Sequence, residues 1–147
     1  MKLYLDANIY YNLWKDEFIG IVPAGFYAEK LLEEILYGEH LLVVSDFLIK
    51  LIRHNSEVFG RLLDELLAKF KELGKLEFIR FDEEIGKRAS NLLKKYRGRY
   101  EVDWEDLVNL SLAEKAGASF ASRDEELILL AKEEGISAGH PEQLIKL

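Results

Sequence analysis

The stretch KLYLDANIYYNLW, residues 2–14, changes its period at a single position. Residues 2–5 are a short apolar run that reads as a buried strand. From Ala7 onward the apolar residues fall at Ile9, Tyr10, Leu13 and Trp14, the spacing of a helix face. Asp6 stands at the changeover. A strand that hands over to a helix through a carboxylate is the opening unit of an α/β chain, and the rest of the sequence repeats the pattern.

Working outward, Pro23 can open a helix through Tyr27, Leu31, Leu32, Ile35 and Leu36, with Gly38 as its C-terminal cap. Residues 41–44 read as the second strand. Ser45 and Asp46 are N-cap types ahead of a helix carrying Phe47, Leu48, Leu51 and Ile52. A further helix covers residues 58–73 and closes at Gly74; residues 76–81 are a strand; Asp82 caps a helix that runs to about Tyr96, and Gly98 breaks it. After the acidic residues 101–105, a helix through Leu107, Val108, Leu110 and Ala113 ends at Gly117. Residues 118–121 are a strand with Asp124 just beyond it. A helix through Leu127, Leu130 and Ala131 ends at Gly135, residues 136–138 form a last short strand, and Pro141 opens a terminal helix. This alternation implies a three-layer α/β/α domain around a central parallel sheet of about four to five strands. No repeat, low-complexity tract or linker interrupts it. With 147 residues, about half of them hydrophobic, residues 1–147 are expected to form a single domain.

Cysteine is absent, which points to a reducing compartment. No leader-like segment and no apolar run of roughly 18 residues is present, so a cytoplasmic protein is expected. Charged residues make up 32% of the chain and Gln143 is its one glutamine, a balance that suits a thermophile. A net charge of −7 argues against gripping nucleic acid by bulk electrostatics. It leaves room for a nuclease, because a divalent cation bound to an acidic site would reverse the local charge. No glycine-rich phosphate loop follows a strand, which counts against a nucleotide-cofactor enzyme. His40, His54 and His140 are scattered, without the spacing of a metal site or a Ser-His-Asp hydrolase.

In an open α/β sheet, ligands bind at the carboxyl ends of the strands. Asp6, Asp46 and Asp124 all fall at that edge. If their strands are neighbours, three carboxylates meet there, and a cation must offset their repulsion. Oxygen-only ligands select Mg²⁺ or Mn²⁺. Helix capping alone accounts equally well for any one of these aspartates. Asp103 and Asp106 share one face at a helix start, where the helix dipole favours acids without any metal.

Leu5-Asp6-Ala7-Asn8 resembles the LDxN/S opening of PIN domains. Asp106, Ala113, Gly117 and the run Ser122-Arg123-Asp124 resemble that family's D…A…G…(T/S)xD segment with the spacing of its two aspartates kept. The resemblance covers essentially the whole chain. It implies that Asp6, Asp106 and Asp124 ligate one or two divalent ions, with Asp103 as a helper. Asn8 and Ser122 would orient ligands or substrate. The activity implied is metal-dependent RNA cleavage leaving a 5′-phosphate and a 3′-hydroxyl. The sequence departs from the family at one place: the Glu expected five or six residues after Ser45 is replaced by Lys50 and Leu51. Asp46, one helical turn before Lys50, is a candidate substitute; alternatively the Lys50 ammonium takes part of a metal's place and the domain binds without cutting.

Lys94, Lys95, Arg97 and Arg99, interleaved with Tyr96 and Tyr100, form the dense basic and aromatic segment of the chain. Lys95 and Arg97 are candidates for holding an RNA backbone, and the same cations also suit a solvated helix end. Tyr10, Tyr11, Trp14 and Phe18 follow helical spacing and read as core or dimer contacts. Within the family the chain looks most like a VapC-type toxin. That resemblance implies a small antitoxin partner presenting an Arg to the acidic pocket, and a homodimer formed through the first two helices. An RNA-processing PIN nuclease and a non-cutting PIN-like binding module are the alternatives, with a phosphoacceptor receiver built on Phe81-Asp82 a distant one.

Overall fold

The computed structural model describes residues 1–15 and 18–145. In chain order its elements are β1 (Lys2–Leu5), α1 (Ala7–Trp14), β2 (Phe18–Ile19), β3 (Val22–Pro23), α2 (Ala24–Tyr37), β4 (Leu41–Ser45), α3 (Asp46–Asn55), α4 (Glu57–Glu72), β5 (Leu76–Ile79), α5 (Glu83–Lys95), α6 (Trp104–Ala116), β6 (Ser119–Ala121), α7 (Glu125–Glu133), β7 (Ala138–Gly139) and α8 (Pro141–Leu144). Five strands form one parallel sheet in the order β5-β4-β1-β6-β7, with helices on both faces.

Strand β1 takes the centre. Tyr4 and Leu5 of β1 are fully buried and Leu3 almost so, as a strand covered on both faces requires. From β1 the chain moves outward through β4 to β5, then returns to the other side of β1 for β6 and β7. The direction of winding therefore reverses at β1, which is where a crevice opens at the carboxyl edge of such a sheet. Asp6, Asp46 and the Ser122–Asp124 turn leave this edge from three adjacent strands.

Helix α6 lies deepest. Every residue from Leu107 to Ala113 is buried, including Asn109 and Ser111, so it has no solvent face for a helical stripe to reveal. Its buried polar groups are satisfied: Ser111 Oγ donates to the Leu107 carbonyl at 2.7 Å, and Asn109 Oδ1 accepts from Tyr4 Oη at 2.6 Å. The Tyr4 hydroxyl also meets Ser45 Oγ at 2.7 Å, joining β1, β4 and α6 through one buried cluster.

Gly38 caps α2 as its position implies, in an extended conformation, and a Cβ there would lie 2.7 Å from the Glu34 carbonyl oxygen. Two expectations change. Residues 80–81 leave the sheet after Ile79, where Asp46 Oδ1 captures the Phe81 N–H at 2.8 Å. The helix-like spacing from Tyr10 to Phe18 does not describe one helix. α1 stops at Trp14, residues 16–17 lie outside the described residues, and Phe18 belongs to a small β2–β3 hairpin turned at Gly20, where it is 65% exposed.

Candidate active site

Asp6 follows the central strand, and its carboxylate is 5% exposed. Oδ1 accepts from the Ala7 N–H at 2.8 Å. Oδ2 accepts from Ser122 Oγ at 2.8 Å and from Asn8 Nδ2 at 3.3 Å. Asn8 Nδ2 also donates to Ser122 Oγ at 3.2 Å, and Asn8 Oδ1 accepts from the Arg123 N–H at 3.1 Å. Ser122 Oγ in turn accepts from the Asp124 N–H at 3.0 Å. Asn8 and Ser122 thus tie the β1–α1 and β6–α7 junctions together around Asp6 and fix where its carboxylate points.

Two further junctions supply the other acids. Asp103 caps α6 by accepting from the Asp106 N–H at 2.8 Å, while Asp106 Oδ2 accepts from the Asp103 N–H at 3.1 Å, a reciprocal capping box. Asp124 caps α7 through Oδ1, which accepts from the Glu126 and Leu127 N–H groups at 3.1 and 3.2 Å. Capping is thus real at each position, and it engages one carboxylate oxygen of each of these residues.

Helix capping does not account for the mutual charge effect. Burial raises the Asp6 carboxyl to about 6 despite its hydrogen bonds, and Asp124 and Asp103 push it further in that direction. Asp106 is raised to about 7, again chiefly by burial, with Asp103, Asp6 and Asp124 adding to the rise. Acids from three separate junctions therefore act on one another across the crevice. Such a field favours a divalent cation or a bound proton.

Whether these residues fit a metal divides into chemistry and placement. The donors are all carboxylate oxygens, the set that hard divalent cations take. As placed, however, no three His, Cys, Asp or Glu side chains among the described residues are gathered closely enough to enclose an ion. Arg123 does not fill the crevice. Its guanidinium turns away to Glu142, with Nη1 at 2.5 Å from Oε2, and lies over the Tyr27 ring.

The remaining candidates stand apart from this group. Asp46 is the first residue of α3, and its Oδ1 accepts from the N–H groups of Phe47 and Phe81, both at 2.8 Å. Its charge acts on the buried Tyr4 hydroxyl. Lys50 is exposed on α3, a turn beyond Asp46. Lys95 and Arg97 are not brought to the acids. Lys95 Nζ binds Glu134 at 2.7 Å, and Arg99 binds Glu133 at 2.6 Å, both at the end of α7 far from Asp124. Arg97 is exposed between them. Ten helical residues place that end roughly 15 Å from Asp124. Closeness in sequence to the acidic segment misleads, because residues 100–103 run back along the length of the sheet. The reading of the sequence missed the Tyr4–Ser45–Asn109 cluster beneath the site; its one signal is a tyrosine in a buried strand, whose hydroxyl must find a partner.

The PIN domain family profile matches residues 3–133. No curated protein matches the chain in sequence. Solved structures share the fold at low identity. FitAcB from Neisseria gonorrhoeae is 17% identical with a TM-score of 0.63, covering 97% of this chain and 99% of that one. VapBC2 from Rickettsia felis, bound to a DNA fragment from its promoter, is 16% identical with a TM-score of 0.65, covering 95% and 98%. A toxin–antitoxin complex from Klebsiella pneumoniae is 15% identical with a TM-score of 0.55, covering 95% and 97%. With most of its length matched by the profile and its acids gathered at the carboxyl edge of the sheet, the chain belongs to the PIN domain family.

Proposed function

We propose that the chain is a metal-dependent endoribonuclease of the VapC toxin type, acting on single-stranded or loop RNA. The observation that carries this reading is the buried Asp6 at one junction and Asp106 at another, each with its proton affinity raised by burial and further by the charges of Asp103 and Asp124. Asp6, Asp106 and Asp124 would hold Mg²⁺ or Mn²⁺, with Asp103 assisting. When bound, such an ion lowers the pKa of a water and offsets charge on the attacked phosphate. Ser122 and Asn8 hold Asp6 in one orientation. Capping engages Oδ2 of Asp106 and Oδ1 of Asp124, so each would offer its other oxygen to an ion while its cap stays in place.

The test is cleavage of an unstructured RNA panel with Mg²⁺ or Mn²⁺. Activity is expected in the parent and a loss of at least about a hundredfold in Asp6→Asn and in Asp124→Asn, with the fold retained by circular dichroism. Full activity in both variants would sink the assignment. The same acids suit an Arg presented by a small antitoxin partner. A gene for such a partner beside this one would separate a toxin from an RNA-processing nuclease.

One observation favours a second reading. The exposed Lys50 replaces the family's acid in α3, and among the described residues no three acids are pre-gathered, as a non-cutting binding module would have it. On that reading the parent binds RNA without cleaving it and Lys50→Glu gains cleavage. We also infer a homodimer. The apolar residues exposed on and beside α2, Phe18, Ile21 and Phe26, supply a surface for it.

A further inference from the structure

Next to the acids, on the β5 side of the carboxyl edge, lies an open pocket of about 600 Å³ that the nuclease chemistry leaves unused. Phe81 and Trp104 form its walls, Gly86 lies between them, and Lys87, Ser90 and Asn91 stand along α5 beside it. The aromatic walls are held in place. Phe81 stacks on Phe47 at 5.6 Å with 26° between the rings, and its N–H is fixed by Asp46. Trp104 meets both phenylalanines edge-on and donates from Nε1 to Ser90 Oγ at 3.2 Å.

Gly86 is the feature that points to an occupant. It sits inside α5, where glycine is a poor helix former. A Cβ there would lie 3.2 Å from Phe81 Cζ and 3.8 Å from Trp104 Cζ2, so any side chain would press on both rings and fill the pocket they line. Phe81 and Trp104 remain only partly buried around that space. Trp104 directly follows Asp103, and Asp106 completes the same helical turn, so a strand crossing the acids passes this pocket. The Lys87 ammonium, 74% exposed, pairs with Glu83, itself on the pocket lining, at 3.6 Å, and a flanking phosphate would compete with that carboxylate for it.

We infer that the Phe81–Gly86–Trp104 pocket holds one unpaired base of the RNA whose backbone crosses the acidic crevice. The pocket combines ring surfaces with the Asn91 amide and Ser90 hydroxyl, groups that meet a base on its face and on its edge. A base inside a duplex has its faces stacked and its pairing edge occupied, so the pocket selects single-stranded RNA. The inference rests on the ribonuclease reading and adds to it the residues that would bind an unpaired base of the substrate.

Trp14→Phe leaves Trp104 as the one tryptophan, which makes its fluorescence a reporter of the pocket. The titrant is an unstructured ten-nucleotide RNA of mixed sequence in metal-free buffer, compared with its duplex and with an abasic strand of equal length. Quenching by the single strand and little by the other two is expected. Equal quenching by the duplex or the abasic strand overturns the inference, and so does none with the single strand. In cleavage assays, Trp104→Ala and Gly86→Leu should raise KM roughly five- to a hundredfold, the range expected for losing one stacked base, with kcat changed little. Trp104→Phe should recover most of the loss, which keeps the test valid if the alanine variant folds poorly. If metal-dependent cleavage is present but KM is unmoved in Gly86→Leu, the pocket inference fails while the nuclease reading stands. Single-strand-specific quenching without cleavage upholds the pocket and overturns the nuclease.

Discussion

Asp6 is a carboxylate placed where water barely reaches, and its protonation records that cost. Its folded pKa, about 6, lies above the ordinary value of 3.8. A carboxyl raised on folding stays neutral in the native state while the unfolded chain ionises, so the stability of the native state is full below about pH 4. It declines as pH rises through 6. The shift of about two units corresponds to about 3 kcal/mol. Asp6→Asn should therefore gain about 2 kcal/mol of stability at pH 8 in metal-free buffer and almost none at pH 4, read from denaturant midpoints at the two values. An equal effect at both pH values would contradict the account. Asp46 has a different place, since its Oδ1 holds the Phe81 backbone. Asp46→Ala should cost about 1–2 kcal/mol by stranding that N–H, and should weaken RNA binding more than metal binding by calorimetry.

Among the elements, α7 links the two ends of the sheet. Asp124 caps its start at the crevice, and just past its end Glu134 accepts from Lys95, Tyr96 and Arg88. The Lys95 ammonium holds the Glu134 carboxyl down to about 2, so this contribution is present above about pH 4.5 and is lost as pH falls toward 2. Glu134 is 8% exposed and serves three donors, unlike an isolated surface pair. Glu134→Ala should cost about 2 kcal/mol in thermal or urea unfolding while leaving metal affinity unchanged. The sequence hinted at an RNA-binding segment here because Lys95 and Arg97 precede the acids in the chain. The connection between α5 and α6 separates residues that are close in number, and what the segment meets is a pair of glutamates at the end of α7. Gly38 shows a related limit: its position at the helix end was legible, but its extended conformation was set by contact with the Glu34 carbonyl.

At the scale of the whole molecule, the described residues include no helix long and apolar enough to cross a membrane. The apolar surface that remains is uneven. Ile21 at the tip of the β2–β3 hairpin is 95% exposed, and Phe18 and Phe26 lie on the same side of the fold as α2. If this surface joins two copies, light scattering should give twice the mass of 17.0 kDa, and Ile21→Asp should yield a folded monomer. A parent that is monomeric at high concentration would remove the dimer. The hairpin was hidden from the sequence because aromatic residues four apart imitate a helix face, and strands two residues long are too short to show alternation.

Period and capping chemistry are local, so the sequence alone determined the helices and the strands of the parallel sheet in chain order, and the junction carboxylates Asp6, Asp103, Asp106 and Asp124. The switch in winding at β1 is not local. Only the tertiary structure decided that acids from three junctions share one field, that Asp46 serves a backbone N–H, and that Gly86 faces two aromatic rings. Burial and Coulomb repulsion depend on distances through space, which follow from strand order and not from separation along the chain.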